Sequence, residues 1–348
     1  MKLCKVLDLR EGDILAKDVM TDDYRVLYGE GTVLNSESIS RLINYNIGEV
    51  SIKQEVNVEE VAILKEEVQE EFHKKLQSIL EKHTYSNSAE LSQLAQTADN
   101  IIGNILQEEE VAEKIYDIRE RSADVYEHSI SVCSIATIIA LKMNIHEKAV
   151  HDIGVACLLH ELGLRYLTID YENVDLSEMS EIDLAEYHKH PVYGYSALQN
   201  ESWLSEEAKQ IILYHHEKLD GSGYPLKATD IPMYCKIVQV CDAFDEMICG
   251  IGCKRTKVYE ALEYLKICKG TQFDEEVVKC FMELIAVYPV GSYIKTNEGE
   301  TAVVLRQNRE FPDRPVIRII KDKAGNPVKT IIIKDLVKIT TLFIENVE

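Results

Sequence analysis

The pattern of apolar and polar positions divides the chain into four segments. Residues 1–55 alternate over short stretches, with strand-like pieces at 13–16, 24–27 and 50–52. Between them, Ile39, Leu42 and Ile43 recur at helical spacing. This predicts one helix over Ser36–Asn46, capped by Asn35 or Ser36 and closed near Gly48. A small α+β unit is expected here. Residues 56–118 are almost free of Gly and Pro, and VAILKEEVQEEFHKKLQSILEKH has the periodicity of an amphipathic helix. Two helices broken at residues 83–88 fit this segment, which is expected to act as a helical spacer or a dimerising stalk. His73 and His83 lie in its charged context and are expected to be solvated. Residues 119–285 are helical again. From Tyr288 onward SYIKT, TAVVLR, VIRIIK and KTIIIK alternate with the turn signals NEGE and DKAGNP. They predict a small antiparallel sheet or barrel at 286–348.

Charge narrows the range of partners. The chain has 38 Lys and Arg against 60 Asp and Glu, a formal net charge of −22. Such a surface repels polyanions, so DNA, RNA and anionic membranes are not expected partners. A small anionic substrate would need local cations to hold it. The nine cysteines include no CxxC pair and fall largely in apolar helical stretches, as buried thiols in a reducing compartment do. The start, MKLCKVLDLREGD, has no apolar signal core, and the longest apolar run, near Val132 to Met143, is short of the ~20 residues a membrane helix needs. A cytoplasmic protein is expected.

Eight of the ten histidines fall within 119–285. In HHEKLDGSGYP, His215 follows Ile211 by four residues and His216 follows Ile212 by four. Both imidazoles therefore leave the inward side of one helix end, and Gly221, Gly223 and Pro225 then turn the chain. LLHELG sets His160 on the face of Ile153 and Ala156, with Glu161 adjacent. His128 continues the apolar stripe of Val132, Ile135 and Ile139, where an imidazole needs a hydrogen bond or a metal. HKHPVYGY carries His188 and His190. In VCDAFDEM, Asp242 lies on the face of Val238, and Asp245 follows one turn later. A carboxylate on an apolar face is costly unless it is paired or ligates a metal. Each segment alone has a bland explanation: a satisfied core histidine or a helix-end ion pair. Together they offer five helical positions bearing His, His-acid, His, His-His and Asp. That donor set suits two cations about 3.5–4 Å apart acting on a phosphate ester.

These strings, with EYHKHPVYGY, FDEEVV, LREGDILAKDV and YPVGSYI, resemble the HD-GYP family. The likeness covers about residues 119–285. It implies a mainly α protein whose core is an HD-type helical bundle, flanked by the α+β and β units. It also implies two or three divalent transition metals, Fe or Mn, and hydrolysis of a cyclic dinucleotide, cyclic-di-GMP, to pGpG or GMP. Carried over position by position, the metal ligands are His128, His160, Glu161, His190, His215, His216 and Asp242. Glu161, Asp242 and Arg165 are the expected catalytic residues; Gly221, Gly223, Tyr224, Pro225 and Lys254 are the expected substrate contacts. Three departures stand out. The family's His-Asp pair is His160-Glu161; the Lys that follows it is Leu164; and the first Arg of a later basic segment is Ile251, leaving Lys254 as its last basic position. On the substrate side the second and third are losses of cationic donors. A second reading is therefore an impaired domain that binds a nucleotide or organises a homodimer. A third is a structural helical protein whose histidines are incidental.

Overall fold

The computed structural model describes residues 2–9, 13–21, 26–45, 47–53, 61–82, 90–108, 110–121, 123–171, 174–309 and 311–347. The expected helix break at 83–88 and His83 lie outside the described residues. The chain divides into two compact units, Val61–Tyr288 and the two flanks, Met1–Glu60 with Pro289–Glu348.

In the N-terminal flank, β1 (Lys2–Lys5), β2 (Val19–Met20), β3 (Val26–Tyr28), α1 (Ser36–Asn44) and β4 (Glu49–Ile52) follow one another. β1 pairs antiparallel with β4, and β2 with β3. The expected strand at 13–16 consists only of isolated bridges, from Ile14 to Val33 and Leu15 to Ile52. Asn35 caps α1 in a reciprocal box with Ser38, so two otherwise orphaned backbone donors are satisfied.

The helical unit contains α2 (Glu66–Lys82), α3 (Gln93–Leu106), α4 (Val125–Lys142), α5 (Glu147–Leu159), α6 (Glu181–Tyr187), α7 (His190–Leu198), α8 (Glu206–Tyr214), α9 (Met233–Cys249), α10 (Val258–Cys268) and α11 (Glu275–Leu284). α4 is central. It is apolar all round, with Ile130, Val132, Cys133 and Ile135 to Ala140 buried, and α2, α3, α5, α9 and α11 pack against it. A helix without a polar stripe must be enclosed in this way. The segment expected to be a helical spacer or dimerising stalk packs within this unit. α2 and α3 place Phe72, Leu76, Leu94, Ala98 and Ile101 in the same core as α4 and α5. Their apolar stripes are thus spent within the unit, leaving their polar faces as outer surface.

The C-terminal flank is an antiparallel five-stranded sheet. Its strands are β5 (Tyr293–Thr296), β6 (Thr301–Arg306), β7 (Val316–Lys321), β8 (Pro327–Asp335) and β9 (Ile344–Val347), in the order β8-β7-β6-β5-β9. The fold is therefore mainly α with a small antiparallel sheet, as the alternation pattern predicts.

Candidate metal centre

Five imidazoles and three carboxylates from separate elements converge inside the helical unit. His128 comes from the second turn of α4, whose start is fixed by Asp124 accepting from the Glu127 N–H. His160 and Glu161 come from the point where α5 gives way to a tighter 3-10 turn, His160–Tyr166. The sequence pattern predicts a continuous α-helix here. The tighter winding changes the geometry, because residues three apart nearly eclipse one another in a 3-10 helix. Leu164, 2% exposed, is accordingly on the side of Glu161, whereas Arg165 is exposed. Arg165, expected to be catalytic, is not brought into the cluster. His190 opens α7. His215 and His216 leave the end of α8. Asp242, Asp245 and Glu246 lie at i, i+3 and i+4 on α9 and so share one face.

Close approach of the backbone makes the convergence possible. A side chain on Gly163 would overlap the His190 carbonyl and the Gly194 N–H, so only glycine lets the 3-10 turn meet α7. Gly223 is equally constrained: a Cβ there would meet the His216 carbonyl and the Lys218 N–H. The loop that follows is tied down by Glu217, a buried carboxylate that accepts from the Leu226 N–H at 2.5 Å and the Ala228 N–H at 2.9 Å. Tyr224 donates its N–H to the His216 carbonyl at 3.1 Å.

The outer nitrogens of the imidazoles are already engaged. Nδ1 of His160, His190 and His215 lies 2.7, 2.9 and 2.8 Å from the carbonyls of Cys157, Tyr187 and Ile212. A carbonyl only accepts, so each Nδ1 carries the proton and each Nε2 presents a lone pair. His128 uses Asp245 in the same way, at 2.8 Å. That carboxylate also accepts from Ser131 Oγ at 2.6 Å and from Arg121 Nη2. The inward Nε2 atoms meet in pairs: His128 with His160 at 3.1 Å, and His190 with His215 at 3.1 Å. Lone pairs this close repel unless a cation lies between them. Two nitrogens ~2.1 Å from one ion and at right angles to each other are ~3.0 Å apart.

Glu161 links the two pairs. Oε1 is 3.9 Å from His128 Nε2 and 3.8 Å from His160 Nε2, and Oε2 is 3.6 Å from His190 Nε2. Both oxygens are buried without a hydrogen-bond partner, as is Nε2 of His216. One donor group is His128, His160, Glu161 and Asp242; another is Glu161, His190, His215 and His216. Within each, the ligand atoms lie within 4.8 Å of one another. The extra methylene of Glu161 therefore does not push its carboxylate out of reach, because the tighter turn carries it. A buried carboxylate with unbonded oxygens beside inward-facing imidazole lone pairs fits divalent cations and little else.

The titratable groups of the cluster are shifted in both directions. Burial, reinforced by neighbouring imidazoles, holds His215 and His216 well below the usual histidine range, and His190 also below it. For His128 burial opposes the charge, but hydrogen bonds to Asp242 and Asp245 outweigh it and push the group well up. Asp242 is likewise disfavoured by burial, yet the nearby histidines hold it well below the carboxylate range. Burial and the charge of Asp242 push Glu246 well above its ordinary value. Glu246 forms a third donor group with His216 and Asp242. Sequence reasoning passed over Glu246, Glu217 and Arg121, and left Asp245 without a role. The i, i+3, i+4 spacing from Asp242 was the available signal for Asp245 and Glu246.

The expected substrate contacts are more dispersed. Tyr224 stacks on His216, with ring centroids 4.6 Å apart, and so borders the cluster beside Gly223. Pro225 continues the loop and Gly221 turns it at φ 75°. Lys254 is exposed, and its charge helps to lower Asp175.

An enclosed helical bundle with histidine and carboxylate donors on its inner turns defines a helical domain with a donor set that could hold metal ions. Comparison with known proteins gives that class its name. Residues 118–277 match the HD domain family, and residues 293–348 match the KOW domain associated with HD domain. The helical unit is thus similar to the HD domain over residues 118–277. A cyclic di-GMP phosphodiesterase of Pseudomonas aeruginosa is 25% identical over 64% of this chain and 54% of its own length. The cyclic di-GMP phosphodiesterase response regulator of Xanthomonas campestris is 30% identical over 42% of this chain and 40% of its own. A cyclic di-GMP phosphodiesterase of Thermotoga maritima is 30% identical over 47% and 45%. The chain thus spans about half the length of the curated relatives it matches. Among solved structures, an HDG"Y"P protein from Bdellovibrio bacteriovorus aligns over 80% of this chain and 97% of its own, at 18% identity and a TM-score of 0.49. No helix among the described residues is long and apolar enough to cross a membrane.

Proposed function

We propose that this protein is a metal-dependent phosphodiesterase that hydrolyses a cyclic dinucleotide, with cyclic-di-GMP as the substrate and pGpG or GMP as the product. The observation that carries the reading is Glu161: its two unbonded oxygens stand between two sets of inward imidazole nitrogens. His128, His160, Glu161 and Asp242 would hold one ion, and His190, His215, His216 and Glu161 the other. Fe or Mn suits this mixed nitrogen and oxygen donor set. Bound there, the ions supply Lewis acidity toward phosphate oxygens and a water of lowered pKa. The protein's own groups fix the rest. Asp245 and three backbone carbonyls lock His128, His160, His190 and His215 each in one tautomer, and Gly163 and Gly223 hold the elements in register. The nine cysteines, none in a CxxC pair, suit work in a reducing cytoplasm.

The second reading, a nucleotide-binding module with little turnover, draws on Leu164 and Ile251. Both are buried apolar side chains where the family has cations. One experiment separates the two. The protein is loaded anaerobically with Mn or Fe(II), given cyclic-di-GMP, and the products are resolved chromatographically. Metal-dependent pGpG or GMP is expected; binding without product moves the assignment to the sensor.

A further inference from the structure

His188 has no place in the donor set. It caps the C-terminal end of α6, two residues ahead of His190. Its ring lies flat on Tyr224, with centroids 3.9 Å apart and planes 18° from parallel. The opposite step of the ladder runs from Tyr224 to His216, at 4.6 Å and 30°. Three rings therefore lead outward from a metal-site imidazole to a half-buried one. The middle ring is held rigidly, because the Tyr224 N–H bonds the His216 carbonyl and Glu217 clamps the loop behind it. Neither ring nitrogen of His188 bonds to another described residue. Packing alone would be served as well by an apolar ring. An imidazole keeps an unpaired donor and an unpaired acceptor at its edge, a pattern that complements a purine.

We propose that His188, with Tyr224 beneath it, is a base-contacting residue that receives a purine of the nucleotide whose phosphate lies at the imidazole cluster. This rests on the phosphodiesterase reading and adds a specificity determinant to it. Aromatic contact with a base is tolerant of sequence but sensitive to loss of the ring. His188 thus selects for a nucleotide over a phosphodiester that lacks a base, in a site poor in phosphate-gripping cations.

The test compares wild type, His188→Ala and His188→Phe, all metal-loaded, on cyclic-di-GMP and on bis(p-nitrophenyl) phosphate, with metal content measured in each. For His188→Ala, KM for cyclic-di-GMP should rise on the order of tenfold, the size of one lost base stack. The ratio of kcat/KM between the two substrates should fall by the same factor at unchanged metal content. His188→Phe should recover only part of the loss, since it restores the ring but not the donor and acceptor at its edge. An unchanged KM, or an equal loss on both substrates, overturns the role of His188 while leaving the phosphodiesterase reading intact. A wild-type protein that neither binds nor cleaves cyclic-di-GMP overturns both.

Discussion

Glu161 is the residue on which most of the chemistry turns, and its burial makes it testable. An ionised carboxylate with neither oxygen bonded costs several kcal/mol in the protein interior. Cations offset that cost, whereas a neutral amide would never incur it. Glu161→Gln should therefore act in opposite directions. Stripped by chelator, the variant should be more stable than wild type by about 1–3 kcal/mol. Supplied with Mn, it should bind less metal. Thermal melts with and without chelator, beside elemental analysis, read both effects. A chelated variant that melts below chelated wild type would mean Glu161 is a structural acid and not a ligand. Asp245 differs in kind, since it touches no inward nitrogen. It fixes His128 through Nδ1 and neutralises buried Arg121. Asp245→Asn should lower metal affinity about 10–100-fold, as loss of an outer partner of a ligating histidine does. Competition with a chromophoric chelator measures it, and an unchanged affinity would remove Asp245 from the positioning role.

Elements bring these residues together, and here the sequence is legible only in part. His128, His160, His215, His216 and Asp242 each fall on an apolar helical face, which periodicity finds from one element at a time, while His190 follows only from the family resemblance. The 3-10 turn at His160–Tyr166 is not visible that way, because its cause is nonlocal: α7 presses against Gly163. Nor is the packing of α2 and α3, since an amphipathic stripe looks the same whether it faces a second copy or the chain's own α4. Gly163→Ala tests the first point. The added methyl collides with the His190 carbonyl, which is backbone and cannot turn aside. A loss of more than about 3 kcal/mol is expected, with metal binding lost at both donor groups. Urea melts measure it, and full metal occupancy in a well-folded variant would contradict the geometry. The second point has a pH signature. His73 of α2 lies 3.0 Å from Asp124, the cap of α4. That hydrogen bond raises His73 above its ordinary 6.5 despite partial burial. Below 6.5 the imidazole is protonated in folded and unfolded chains alike, and the pair contributes fully. As pH rises through the folded value the contribution disappears. Asp124, held low by His73 and the Glu127 N–H although burial opposes this, loses its share only in acid. His73→Gln should therefore lower the Tm at pH 6 and leave it unchanged at pH 8.5. Equal losses at both values would show that α2 docks on α4 without this pair.

At the scale of the whole molecule, the cation sites belong to one unit only. All eight donors lie between His128 and Glu246, inside Val61–Tyr288. The flanks have their own means of cohesion: a small apolar core around Leu15, Leu34 and Leu42, and a sheet whose middle strands bury Ala302, Val303 and Ile317. Binding to a folded state stabilises it by mass action, by about 2.7 kcal/mol at a free concentration 100 times the dissociation constant. For a domain of ~150–250 residues each kcal/mol moves the midpoint roughly 2–4 °C. Metal loading should then raise the unfolding temperature of the helical unit by about 5–11 °C and leave the flanks where they were. Calorimetry of the full chain reads this as two transitions, of which chelator displaces only the larger. The net charge of −22 sharpens the comparison. Added salt screens general repulsion and moves both transitions, while it cannot replace cations within a buried cluster. If salt reproduced the effect of Mn, the stabilisation would come from diffuse charge neutralisation, and the convergent imidazoles would have no ion to share.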